Sequence, residues 1–148
     1  IGDFDGMDYL RKSLRDEGHQ IVELPCASNG LEYLMTNHSP LVVVKGVVSL
    51  GDAKKLEDLN FADVEFDPSD GIRVACYVIG QIRSPPSSND SIILEFNKDS
   101  GILVPYEGPL PEDANPYEVA GASKAVDIFT PQEPLKTFVA AVKDLLRP

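Results

Sequence analysis

Leu41-Val42-Val43-Val44 is a run of four apolar residues, three of them β-branched, entered by Ser39-Pro40 and left by Lys45-Gly46. A run of this kind fits a strand buried on both faces, and such a strand requires helices on either side of its sheet to cover it. The position just past its C-terminal end carries the most functional weight, because in open α/β sheets ligands gather in the crevice outside the carboxyl ends of the strands. That position is Lys45, followed by Gly46.

The sequence on both sides supplies the expected helices. Residues 1–6 read as the tail of a strand entering a turn rich in Gly and Asp, which places most of that strand ahead of residue 1. Met7, Leu10 and Leu14 then fall at i, i+3 and i+7 in an amphipathic helix stopped by Gly18. Residues 20–24 form a short strand ended by Pro25. Asn29 is a cap with Glu32 three positions on, and Leu31, Leu34, Met35 and His38 give the next helix an apolar face. Strand, helix, strand, helix, strand builds right-handed crossovers and a parallel sheet.

Downstream, Ser49-Leu50-Gly51-Asp52 opens a short helix through Ala53, Leu56 and Leu59, and Val64-Glu65-Phe66 reads as a short strand. Residues 72–79 read as a second buried strand, although their small residues and the extension to Ile82 also suit a buried helix, and periodicity does not separate the two. Ser84 to Asp90 is a loop by composition. Residues 91–96 and 102–106 flank Asn97-Lys98-Asp99-Ser100-Gly101, the pattern of a β-hairpin inserted at about 91–106. Loop residues 108–115 follow, and Asn115-Pro116-Tyr117-Glu118 caps a short helix to about Ala120. A strand at 126–129 leads to Thr130, Pro131 and Glu133, which cap a last helix whose stripe is Leu135, Phe138, Val139, Val142, Leu145 and Leu146. No repeat or linker divides residues 1–148, which read as one domain.

Composition narrows the partners. The net charge is −11 and the basic residues are scattered, so the clustered positive charge that nucleic acid or an anionic membrane demands is missing. No apolar run approaches the ~18 residues of a spanning helix. Cys26 and Cys76 stand far apart with no C-x-x-C, as free buried thiols in a reducing compartment, and a cytoplasmic location is expected. Neither G-x-G-x-x-G nor a P-loop occurs, and no cofactor is expected. Asp63, Glu65, Asp67 and Asp70 lack the glycine and terminal glutamate of an EF-hand loop and read as a solvated acidic stretch.

Three strings, at residues 10–24, 27–44 and 125–146, resemble a response-regulator receiver domain of flavodoxin-like type. The resemblance implies a three-layer, doubly wound α/β fold with a mostly parallel sheet. It also implies a site made of an acid pair after the first strand, a phosphoacceptor aspartate after the third, a hydroxyl after the fourth and a lysine after the fifth. Such chemistry needs a hard cation on oxygen ligands to offset the charge of the transferring phosphoryl group. Asp3 and Asp5 match the acid pair. The acceptor position falls on Lys45, the hydroxyl position on Val78, and no lysine lies near Thr130-Pro131.

The expected function is therefore that of a degenerate receiver, a non-catalytic regulatory or protein-interaction module, with Lys45 among Asp3 and Asp5 as a built-in cation. Its partner would be another protein or a second copy, engaged through the hairpin or a sheet edge. The alternative is a small α/β enzyme or small-molecule binder using the crevice of Asp3, Asp5, Lys45 and Gly46. Asp3-Phe4-Asp5-Gly6 also resembles the D-x-D-G opening of haloacid-dehalogenase-type phosphatases, without the later motifs those need. An amidotransferase-like role for Cys76 would need an exposed turn and a base, and the only histidines are His19 and His38.

Overall fold

A computed structural model describes residues 1–4, 7–107, 115–128 and 134–146. The Leu41-Val42-Val43 run forms β1 (Leu41–Val43), which pairs in parallel with β2 (Gly101–Tyr106); β2 pairs in parallel with β3 (Lys124–Asp127). The order β1-β2-β3 puts β2 in the middle, where Ile102, Leu103 and Val104 are wholly buried. Continuous apolar character is what a strand covered on both faces requires.

Hydrogen bonding outlasts β1. Val44 N–H donates to the Leu103 carbonyl and Gly46 N–H to the Pro105 carbonyl, each at 2.9 Å, while Lys45 N–H turns the other way to the Ile1 carbonyl at 2.9 Å. Gly2 N–H in turn donates to the Leu24 carbonyl at 2.9 Å. Residues 1–3 thus lie between Leu24 and the end of β1.

Among the described residues seven helices cover this sheet: α1 (Asp8–Asp16), α2 (Ala27–Thr36), α3 (Ala53–Asp58), α4 (Gly71–Arg83), α5 (Ile92–Asn97), α6 (Pro116–Ala120) and α7 (Pro134–Leu146). One apolar cluster joins Met7 and Leu10 at α1 to Phe138, Ala141 and Val142 of α7, over Leu103 and Val126. The other joins Leu31 and Leu34 of α2 to Val74, Val78 and Ile82 of α4, over Val44, Ile102 and Val104. None of these helices is long and apolar enough to cross a membrane. Several caps follow the sequence: Asp52 accepts from Lys55 N–H, and Asn115 accepts from the N–H groups of Tyr117 and Glu118 with Pro116 in the first turn.

Two long readings are corrected. Residues 72–79 are not a strand but the body of α4. Asp70 caps it by accepting from Arg73 N–H, and Val74, Ala75, Val78, Ile79 and Ile82 recur every three or four residues on its buried face. Residues 91–106 are not an inserted hairpin. The Ser91 hydroxyl accepts from Leu94 N–H and starts α5, the turn at 98–100 connects helix to strand, and β2 has parallel partners on both sides.

Smaller corrections have local causes. Residues 64–66 form no strand, although Val64 and Phe66 pack partly on the core. Residues 20–24 make no regular strand. α2 begins at Ala27, so Asn29 stands within its first turn and Glu32 pairs with Lys55 at 2.9 Å instead of reaching back. His38 lies beyond the end of α2 and is exposed, so it does not extend the apolar face. Asp5, Gly6, residues 108–114, Phe129 and the Thr130-Pro131-Glu133 cap lie outside the described residues, as does the Leu135 side chain.

Candidate functional site

Beyond β1 the backbone alternates sides, so Val44 and Gly46 bond toward β2 and Lys45 bonds toward residues 1–3. The Lys45 side chain follows its backbone, and its ammonium donates to the Asp3 carbonyl oxygen at 2.7 Å. Gly2 makes this crossing possible. Its φ of +129° is one that side chains rarely adopt, and a Cβ there would stand 2.7 Å from Lys45 Cβ. Asp3 and Lys45 thus meet through the main-chain oxygen of Asp3, where the sequence reading expected an ion pair with its carboxylate. Asp5, the third charged member, lies outside the described residues.

Asp3 and Lys45 line a cleft of about 280 Å³ whose other walls include Val48, Ser49, Ser69 and Gly71. Ser69 closes one side of it as part of a tight turn. Asp67 Oδ1 accepts both the Ser69 N–H at 2.9 Å and the Ser69 hydroxyl at 2.7 Å, and these bonds, the main-chain one first, hold its carboxyl below the usual range. Asp70 is taken by the α4 cap. The acidic stretch is thus partly a turn and a cap. Among the described residues no three His, Cys, Asp or Glu side chains converge as a metal site would require.

Gly46, the fourth candidate, is buried under two tyrosines. A Cβ at Gly46 would meet Tyr106 Cβ at 2.7 Å and the Tyr117 hydroxyl oxygen at 2.8 Å. The Tyr117 hydroxyl donates to the Gly46 carbonyl at 2.9 Å, and the two rings lie 5.7 Å apart at 30°. Burial pushes the Tyr117 phenol up to about 12, and the Tyr106 phenol rises for the same reason, helped by Asp127 and Glu118. These tyrosines fill the strand-end space beside Gly46.

Neither tyrosine was singled out as a site residue by sequence reasoning. Reading 72–79 as a strand put the hydroxyl position on Val78, which is instead buried in α4. β2 ends at Pro105-Tyr106, so Tyr106 occupies that strand end. The signal available was the apolar run 102–106 ending in an aromatic residue, with Tyr117 held by the recognisable Asn115-Pro116 cap.

Cys76 sits half-buried on α4, where its thiol donates to the Pro116 carbonyl at 3.6 Å and burial, then Asp70, pushes it up. A protonated thiol in that setting is a poor nucleophile. His19 and His38 both line a different cavity, away from Cys76. Both cysteines are free. No family model, no curated protein and no solved structure matches the chain.

Proposed function

We propose that this chain is a degenerate receiver of flavodoxin-like topology, a non-catalytic regulatory module that binds a protein partner and accepts no phosphate. The hydrogen bonds support the topology. Leu24 bonds to residue 2, residue 1 bonds to Lys45 at the end of β1, and β2 and β3 follow. Numbered along the chain, those five lines run 2-1-3-4-5, the flavodoxin-like order.

One observation carries the functional reading: the Lys45 ammonium sits on the Asp3 carbonyl at 2.7 Å, at the strand end where acceptor chemistry requires a carboxylate. An ammonium is no nucleophile toward a phosphoryl group while protonated, and it repels the divalent cation such a transfer needs. Incubation with acetyl phosphate and Mg²⁺, followed by intact mass spectrometry, should give no phosphorylated species. A phosphoryl group on an aspartate would sink the reading.

A second reading, a small-molecule binder or small enzyme, draws on the cleft shared by Asp3, Lys45, Ser49 and Ser69. Its volume lies just below the ~300–1,000 Å³ usual for ligand pockets, and Tyr106 and Tyr117 fill the neighbouring space, which favours the module.

A further inference from the structure

A helix at the surface turns its apolar side chains inward and its polar ones outward, and α5 does so only in part. Of its four large apolar residues, Leu94 is wholly buried, together with Asn97, where the helix packs on α2 and α4. The other three face outward: Ile92 is 72 %, Phe96 66 % and Ile93 37 % exposed. Ile92 and Phe96 stand one turn apart with Ile93 beside them, so they form one surface. We infer that this outer face of α5 docks a short amphipathic helix of a partner protein, one whose apolar stripe is flanked by Lys or Arg. The inference deepens the proposed protein-interaction role, giving it a surface and a partner chemistry, and rests on it.

Area limits the size of the occupant. At about 200 Å² for a whole large side chain, the exposed fractions amount to roughly 350 Å², a size at which an apolar patch on a monomer is often functional. A stable dimer buries about 800 Å² on each partner, more than twice as much. The patch therefore suits a short segment better than the broad face of a second copy. Each copy also carries a net charge of −11, which sets two copies against one another.

Charge selects the kind of segment. Residues 90–99 hold three exposed acids, Asp90 just ahead of α5, Glu95 on its outer side and Asp99 just past its end, against one base, Lys98. Lys98 already pairs with Glu95 at 3.4 Å. Arg83, which reaches the same turn, gives its guanidinium to the carbonyls of Lys98, Ser100 and Gly121 and to the Ser123 hydroxyl. Cations beside a partner's apolar stripe would meet Asp90 and Asp99, and a stripe bordered by acids would be repelled. Backbone chemistry selects a helix. The main chain of α5 bonds within the helix, so the patch offers side chains alone, and a strand, which docks through main-chain bonds to a sheet edge, finds no partner there.

The test titrates the ¹⁵N-labelled 148-residue chain with a capped amphipathic peptide of about 16 residues built from Leu, Ala and Lys, with a second in which Glu replaces Lys, and with a third in which Ser replaces Leu. The expected result is saturable amide shifts centred on residues 90–99 for the first peptide alone, its affinity falling at least about threefold between roughly 0.05 and 0.3 M NaCl. Ile92→Ser and Phe96→Ser, both at exposed positions and so tolerant of change, should leave the rest of the spectrum in place and weaken binding about tenfold each. Equal binding of the Lys and Glu peptides would overturn the charge selection, and binding of the Ser peptide at the same residues would overturn the apolar contact. Shifts at residues 90–99 that grow with protein concentration alone would give the face to a second copy, and no saturable shift there would remove the site. Each of these results overturns the inference and leaves the module reading standing, whereas phosphorylation by acetyl phosphate overturns that reading with the α5 shifts unchanged.

Discussion

Alanine at Gly46 would bring a methyl group within 2.7 Å of Tyr106 Cβ and 2.8 Å of the Tyr117 hydroxyl oxygen, and neither neighbour is the free end of a flexible chain. Gly46→Ala should therefore destabilise the fold by about 1–3 kcal/mol, measured by urea unfolding, with its largest amide shifts around residues 106 and 117. The tyrosines carry a pH signature. Burial raises the phenols of Tyr77 and Tyr117 to about 12 in the folded chain, against about 10 when unfolded. Between these values the unfolded chain sheds protons that the native chain keeps. Stability is thus undiminished below pH 10 and falls as pH climbs toward 12. Tyr117→Phe should flatten part of that fall in urea titrations at pH 9, 10 and 11, and an unchanged slope would show that Tyr117 titrates as it does unfolded. Gly46 and Lys45 were legible as strand-end residues. Tyr106 and Tyr117 were not, because what brings them to the strand end includes the bond from the Tyr117 hydroxyl to the Gly46 carbonyl, 71 residues away.

At the scale of elements, the segment from α4 to β2 was the hardest to read. Its apolar, β-branched residues fit strand or helix until the caps are weighed. Asp70 and Ser91 decide the matter, each accepting the N–H three residues on. Arg83 then fixes the end of α4, its guanidinium donating to the carbonyls of Lys98, Ser100 and Gly121 and to the Ser123 hydroxyl. Asn97 does the same for α5. Wholly buried, it donates to the carbonyls of Leu34 and Asn37 and accepts from Ser39 N–H, tying α2, α5 and the entry to β1 together. Asn97→Ala would leave those main-chain groups without their partner, at about 1–3 kcal/mol for each that water does not reach. A loss of roughly 3 kcal/mol or more in urea unfolding is expected, and a loss below about 1 kcal/mol would mean that the network contributes little. None of this was legible in a sequence where Asn97 reads as the first residue of a turn.

Across the whole molecule, local patterns located most elements while pairing had to come from the structure. The run at Leu41-Val42-Val43, the Asn115-Pro116 cap and the stripe through Phe138 and Val142 name their elements because each signal lies within one turn or one strand. That residues 1–3 lie between Leu24 and Lys45 is not written in any local pattern, since the bonds join residues 22 and 44 positions apart. The same pairing sets Lys45 against Asp3, so the proposed topology and the proposed function rest on one contact. Amide NMR of the wild type and of Lys45→Ala during titration with Mg²⁺ and beryllofluoride probes that contact most directly. The wild type should not respond, and Lys45→Ala should differ from it at residues 1–4 and 44–46 through loss of the tether alone. Saturable shifts at Asp3, Lys45 and Gly46 in the wild type would contradict a module that has given up phosphate.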